Sequence, residues 1–279
     1  MQVRCWGSRG SLPVSGPQYL KYGGDTTCVE VRSAGGHVVV IDAGTGIRAL
    51  GNQLVERNIK NFDMVFTHVH RDHIMGFPFL SPLFQKGTTI TIRGCAHGRR
   101  GFRDVLTGSL KAPYFPVGPE VFKARLSVRT ITSPRFTVGS MLVRTIPLSH
   151  PNGGVGLRFE EHGKAFVFLT DNELANRHNG GLSFDEYAAF SHNADLLIHD
   201  AEYTAKDYRA HRFFGHSRYP DTVKLAVKAG ARRLGLFHHN RERTDTEIDG
   251  IVEDARKIAE KRRSDVACFA IGTGFEMTL

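Results

Sequence analysis

Residues 65–74 read VFTHVHRDHI, an apolar run followed at once by His68, His70, Asp72 and His73. Imidazole nitrogens and carboxylate oxygens are the usual protein ligands of borderline divalent ions such as Zn²⁺. Spaced by two, two and one residues on a tight loop, these four side chains can be aimed at more than one ion. A packing role suits them poorly. Three histidines and an acid buried without partners would each cost about 1–3 kcal/mol.

One loop cannot complete two coordination shells, so further ligands are expected at other strand ends. PLSHPNG places His150 after an apolar run, FLTDNE places Asp171 after the next, and GLFHHN places His238 and His239 after another. Each alone has a simpler role: His150 could cap a turn, Asp171 could cap a helix ahead of Asn172, and the His238/His239 pair could face solvent. Their joint occurrence argues for a metal site, since each follows a strand-like run as the first motif does.

The elements that must carry these residues are legible from pattern. CVEVRS, HVVVIDAGTG, FDMVFTHVH and TTITIRG are short runs rich in β-branched residues and closed by turn signals, the mark of strands. SVRTITS, FTVGSMLVRTIPLSH, VGLRFEEHG, KAFVFLTDNE, ADLLIHDAEY, RRLGLFHHN and VACFAIG read the same way. IRALGNQLVERN, LSFDEYAAFSHN, YPDTVKLAVKAGA and TDTEIDGIVEDARKIAEKRRS carry apolar residues at helical spacing. Two strand-rich halves, each flanked by helices, predict an α/β (α+β) fold: a sandwich of two sheets with helices on its outer faces. A single domain over 1–279 is expected, with the irregular stretch 94–119 as a lid or insertion.

Composition narrows the class. The chain has 279 residues, 41% of them hydrophobic, enough for a sizeable core. Charges or glycines interrupt every apolar run before membrane-spanning length, and MQVRCWGSRG has no signal-peptide core, so a cytoplasmic protein without a membrane partner is expected. Cys5, Cys28, Cys95 and Cys268 are widely spaced with no C-x-x-C pair, which suits reduced thiols. The net charge of +9 favours a phosphate-bearing partner, although basic runs such as Arg99, Arg100 and Arg103 are usually solvated faces.

The order H-x-H-x-D-H, then H, then D, then H resembles the signature of the metallo-β-lactamase superfamily over almost the whole chain. The resemblance implies a four-layer αββα sandwich. It also implies that His68, His70 and His150 bind one metal ion, that Asp72, His73 and His238 bind a second, and that Asp171 bridges them. His238 is preferred to His239 because it directly follows the strand-like GLF. Antibiotic-cleaving members place cysteine at the bridging position, and di-iron oxygen-reducing members place glutamate where His70 stands, so neither branch fits. Imidazole with carboxylate suits Zn²⁺ or Mn²⁺.

Gly215-His216-Ser217 in FFGHSRYP resembles the G-H-S loop of the phosphodiesterase and tRNA-processing nuclease branch, whose histidine reaches the substrate phosphate. Asp200 in ADLLIHDAEY would then orient His216 through a hydrogen bond. CWGSRGSLPVSGPQYLKYGGDTTCVEV and LKAPYFPV are similar to small bacterial hydrolases related to phosphoribosyl cyclic phosphodiesterase. Asp42 in IDAGTG matches the superfamily's early acidic motif, which supports the ligand loop, or else caps its own turn. The tRNA-processing branch clamps its substrate with a long arm between the third histidine and the bridging aspartate, and the interval from His150 to Asp171 has no room for one.

The implied reaction is hydrolysis of a small phosphodiester, such as a cyclic nucleotide, a cyclic sugar phosphate or a short oligonucleotide, by a hydroxide shared between two divalent ions. Asp72 and His216 are the expected catalytic side chains. Nucleic acid is a less favoured partner, and a homodimer is compatible with the family. Arg9, Tyr22 and the Lys111 to Phe115 segment are candidates for holding phosphate and a base or sugar. Three alternatives stay open: an RNA endonuclease of the tRNA 3′-processing type, a thioester or lactone hydrolase, and a metal-binding sensor with little turnover.

Overall fold

The computed structural model describes residues 1–96, 101–108, 110 and 115–279. Among the described residues, fourteen strands form two seven-stranded sheets. In the first half of the chain lie β1 (Gln2–Gly7), β2 (Cys28–Arg32), β3 (Val38–Ile41), β4 (Asn61–Val65), β5 (Thr89–Gly94) and β6 (Arg125–Thr130). In the second lie β7 (Arg135–Val138), β8 (Met141–Pro147), β9 (Val155–Glu161), β10 (Lys164–Leu169), β11 (Leu196–Asp200), β12 (Arg233–Phe237) and β13 (Ala267–Ala270). The last strand, β14 (Glu276–Thr278), crosses back to pair with β1, giving sheet orders β14-β1-β2-β3-β4-β5-β6 and β13-β12-β11-β10-β9-β8-β7.

β3 and β10 occupy the centres of the two sheets, and both are almost wholly buried. A strand covered on both faces has no polar side, which is why VVVI and KAFVFL are continuous apolar runs and not alternating ones. Helices α1 (Ile47–Glu56), α2 (Arg71–Ile74) and α3 (Phe102–Gly108) belong to the first half; α4 (Phe184–Phe190), α5 (Ala205–Tyr208), α6 (Tyr219–Ala229) and α7 (Asp245–Lys261) belong to the second. Local signals set their ends. Capping boxes at Ser183/Glu186 and Thr244/Glu247 start α4 and α7, and Gly230 in the left-handed region ends α6.

Apolar side chains segregate into three layers. Val29, Val31, Val39 and Ile41 meet Leu157, Phe159, Phe166 and Phe168 between the sheets. Ile47, Leu50 and Leu54 of α1 cover the outer face of the first sheet with Val40, Met64 and Ile92. Val223, Ala226, Val252 and Ala255 of α6 and α7 cover the outer face of the second with Val167, Leu197 and Leu234. Three apolar layers between two sheets and two helical faces make the four-layer αββα sandwich the pattern predicted.

Several local readings change. FTVGSMLVRTIPLSH is not one strand but the hairpin β7–β8, turned at Gly139 with φ 57°. Strands β1 and β14 and the short helices α2, α3 and α5 were not evident from pattern. Within 94–119, Phe102, Leu106 and Leu110 are buried in the outer core of the first sheet, which anchors that stretch. Lys111, Ala112, Pro113 and Tyr114 lie outside the described residues, as do Arg99 and Arg100. No helix among the described residues is long and apolar enough to cross a membrane.

Strand direction positions the site. β3 to β6 run parallel, as do β10 to β13. β8 is antiparallel to β9, which is antiparallel to β10, so β8 points the same way as β10. The carboxyl ends of β4, β8, β10 and β12 therefore open along one edge, where open α/β sheets place ligands.

Candidate metal centre

His68 and His70 follow β4, and Asp72 and His73 sit on the single turn of α2 directly after them. His150 follows β8, Asp171 follows β10 and His238 follows β12. Asp171 and His238 adopt positive φ, 56° and 54°, as does Asp42 beyond β3 at 59°. Left-handed backbone is costly for residues other than glycine and survives where the surroundings hold it, often at functional sites. Here the sharp turn swings each side chain inward from its strand end.

Asp171 stands at the middle. Its Oδ2 lies 3.5 Å from His68 Nε2 and 3.6 Å from His150 Nε2. Its Oδ1 lies 3.3 Å from His73 Nε2 and 3.4 Å from His238 Nε2. Asp72 Oδ2 closes the second group, 3.1 Å from His238 Nε2 and 3.3 Å from His73 Nε2. His70 Nδ1 closes the first, 2.9 Å from His150 Nε2. The donor atoms of His68, His70, His150 and Asp171 lie within 4.8 Å of one another, as do those of Asp72, His73, Asp171 and His238. All seven side chains named from the sequence thus converge, and Asp171 turns one oxygen to each group.

The outward nitrogens are tied down. His73 Nδ1 lies 2.8 Å from Asp42 Oδ2, and the same carboxylate accepts from Thr67 N and Thr67 Oγ1 at 2.7 Å each. His150 Nδ1 donates to Gly215 O at 2.9 Å, and His238 Nδ1 meets Glu202 Oε2 at 2.9 Å. Such bonds fix the tautomer and leave Nε2 free to face a metal ion. Asp42 therefore supports the ligand loop. Glycine is required where backbone crosses these rings: a Cβ at Gly215, which has φ 93°, would sit 2.0 Å from His150 Nδ1, and one at Gly10 2.2 Å from His238 Nδ1.

The site is built around positive charge. His68 Nε2 and His73 Nε2 are buried without a hydrogen-bond partner, which an interior tolerates only if something else meets them. Burial, with His73 next in weight, holds the His68 pKa well below its ordinary value, and burial brings His150 down to about 4. Burial also opposes charge on His73 and His238, yet neighbouring carboxylates, Asp72 foremost for His73 and Asp171 for His238, raise both well above the usual range. Buried carboxylates that draw protons onto imidazoles would equally draw a divalent cation, so the donor set and its orphaned nitrogens fit metal ions.

His216 borders both groups, its ring stacked on His238 at 4.7 Å. Nδ1 lies 3.8 Å from Asp171 Oδ2 and 3.4 Å from Asp200 Oδ2, and Nε2 lies 3.5 Å from Glu202 Oε2. Burial alone would lower its pKa; Glu202, Asp171 and Asp200 outweigh that and bring it to about 9. The expected hydrogen bond from His216 to Asp200 does not form: Nδ1 stands 3.4 Å from Asp200 Oδ2 and has no hydrogen-bond partner. Asp200 spends its oxygens on backbone donors, Ser217 N at 2.8 Å and Asn172 N at 3.3 Å, and so positions the loop.

Other readings are corrected or extended. Arg9 is fully buried and donates to the carbonyls of Gly23 and Arg243, with Asp245 at 3.6 Å, so it clamps loops and offers nothing to a substrate. Tyr22 is buried and bonds Asp249 at 2.6 Å. Phe115 packs edge-on against Phe79, while Lys111 to Tyr114 lie outside the described residues. His239 turns away from the centre to donate to Ile271 O at 2.8 Å. Glu202 was missed, although it stands two residues beyond Asp200 in ADLLIHDAEY, the spacing that returns a side chain to the same face of an extended chain.

Known proteins agree with this architecture. The Beta-lactamase superfamily domain model matches residues 37–239. Ribonuclease Z of Oceanobacillus iheyensis is 24% identical over 258 residues, covering 75% of this chain and 82% of that protein. The metallo-beta-lactamase fold protein YhfI from Bacillus subtilis superposes with a TM-score of 0.72 at 17% identity, covering 99% of this chain and 98% of that one. A diphosphatase from the PhnP family gives 0.70 at 18% identity, covering 100% and 97%. With its strand-end ligand groups and this matched span, the chain belongs to the metallo-β-lactamase superfamily.

Proposed function

We propose that this protein is a metal-dependent hydrolase that cleaves phosphodiester bonds with two divalent ions, Zn²⁺ or Mn²⁺. The carrying observation is Asp171, whose two oxygens face two separate histidine groups. His68, His70 and His150 would hold one ion, Asp72, His73 and His238 the other, and Asp171 both. When bound, such a pair supplies Lewis acidity toward a phosphoryl oxygen and an acidified water. The chain's own residues do the rest. Asp72, fixed by Ser11 N at 2.9 Å, holds its carboxylate toward the nucleophile. His216, beside both ligand groups, would offer a ring N–H to the phosphoryl oxygen as charge develops and then to the leaving alkoxide. The whole chain acts as one hydrolase domain.

A small or flexible diester suits the site best, because β9 and β10 fill the interval from His150 to Asp171 as an antiparallel pair with only a tight turn between them. The relatives named ribonuclease Z favour a second reading, an RNA substrate of the tRNA 3′-processing type. A hydrolysis panel separates the classes: bis(p-nitrophenyl) phosphate, a 2′,3′-cyclic nucleotide, a precursor tRNA, a thioester and a lactone. Diester cleavage abolished by chelator is the expected result. Cleavage of the thioester or lactone alone would overturn the proposal.

A further inference from the structure

Beside the metal centre lies a second concave surface that the hydrolytic chemistry does not use. A cavity of about 370 Å³ is lined by Asn176, Tyr208, Arg209, Arg212 and Arg218. Another, of about 430 Å³, is lined by Asn152, His178 and His150, a member of the first ligand group. Glu173 joins the walls of the two. This buried carboxylate accepts from Asn176 Nδ2 and Tyr208 Oη on one side and from His178 Nε2 on the other. It also accepts from the backbone of Phe213 at 3.0 Å and of Gly215 at 2.9 Å.

Basic surface runs are usually solvated faces. The charges here are arranged differently. Arg218 is paired with Asp221, and the nearby Asp207 is taken by Arg243, but Arg209 and Arg212 have no carboxylate partner among the described residues. Unpaired guanidinium groups are thus gathered around one hollow, a geometry that recognises phosphate. The aromatic side chains supply a second, independent feature. Phe213 is 61% exposed and adopts φ 68°, an unusual backbone for a bulky residue, held there by its N–H bond to Glu173. Its ring lies edge-on to His178 at 6.4 Å, with the Arg212 guanidinium 5.6 Å from its centroid. Phe214 is 58% exposed and packs on His211, which stacks on Tyr203 beside His216. Exposed rings next to unpaired arginines form the combination that binds single-stranded nucleic acid, with bases stacked on aromatics and phosphates on cations.

We propose that Arg209, Arg212 and Phe213 form an exosite for a single-stranded oligonucleotide, whose nucleotides flank the diester held at the metal centre. This rests on the phosphodiesterase reading for its role in turnover and narrows the substrate to a nucleotide chain that extends beyond the scissile bond.

The test is fluorescence anisotropy on the full-length protein with two labelled decamers, an oligoadenylate and an abasic strand of equal charge, each checked intact afterwards on a gel. In Arg209→Ala/Arg212→Ala, affinity for both decamers should fall at least tenfold, and the slope of log K against log salt should flatten by about 0.7 for each phosphate no longer neutralised. Phe213→Asn tolerates the left-handed backbone while removing the ring. It should weaken oligoadenylate about fivefold or more and leave the abasic strand unchanged. Thermal midpoints check folding, and the single Arg212→Gln carries the charge test if the double variant is unfolded. Wild-type affinity in folded variants overturns the exosite. So does a change in oligomeric state without a change in affinity, because the exposed rings would then serve self-association. Hydrolysis of bis(p-nitrophenyl) phosphate by the wild-type protein is measured in parallel. If binding responds as described and that hydrolysis is absent, the exosite stands and the phosphodiesterase reading falls.

Discussion

Glu202 Oε2 lies 2.9 Å from His238 Nδ1, while the other nitrogen of the same ring faces Asp72 at 3.1 Å and Asp171 at 3.4 Å. The carboxylate therefore holds a proton on the outer nitrogen and presents the inner one to a metal ion. Replacing Glu202 by alanine should lower metal affinity or turnover about 10–100-fold, the usual cost of losing such a support. Glu202→Gln still offers an acceptor oxygen and should recover most of the loss. Elemental analysis beside steady-state rates checks both variants, and an alanine variant equal to wild type in metal and rate would show that His238 needs no such support.

His216 makes a different forecast. It touches Asp171, Asp200 and Glu202 yet belongs to neither ligand group that Asp171 joins. His216→Ala should keep wild-type metal content while turnover of an alkyl diester falls about 10²-fold or more, the usual range for a lost general acid. Bis(p-nitrophenyl) phosphate should suffer less, since p-nitrophenolate leaves without a proton. Equal losses on both diesters would mean that His216 does not protonate the leaving group, and lost metal would make it a ligand.

Glu161 links the two sheets, reaching from β9 to the turn after β2, where it accepts from Ala34 N at 3.0 Å and from Ser140 Oγ at 2.5 Å. Burial would raise its pKa, but the bonds from Ser140 and Ala34 outweigh that and hold it below the ordinary carboxylate value. A folded-state pKa depressed below the unfolded one stabilises the protein at pH values above the unfolded pKa, about 4.3, and that contribution fades as pH falls through the folded value. Glu161→Gln should therefore be less stable than wild type at pH 7, and the gap should close in acid. Urea denaturation at pH 7 and pH 3.5 checks this; a gap that is constant with pH would remove the carboxylate's charge from the explanation.

Much of the centre was legible because its ligands break a pattern. His68, His70, Asp72 and His73 crowd polar metal-binding groups directly after an apolar strand, and His150, Asp171 and His238 repeat that placement. The central strands were equally plain, since burial on both faces leaves VVVI and KAFVFL no polar side. What escaped depends on groups distant in the chain. Arg9 is buried because loops around residues 23 and 243 close over it, which no local pattern encodes. Four-residue helices such as α2 are too short to show periodicity. The break between β7 and β8 rests on one left-handed glycine inside an otherwise strand-like run.

The most direct measurement is divalent metal content on protein purified without chelator, made for wild type and Asp171→Ala beside hydrolysis of bis(p-nitrophenyl) phosphate. A carboxylate shared between two ions predicts about two metals per chain and metal-dependent hydrolysis in wild type, with both lost together in the variant. Full hydrolysis by Asp171→Ala, or wild-type protein that binds no metal, would contradict it.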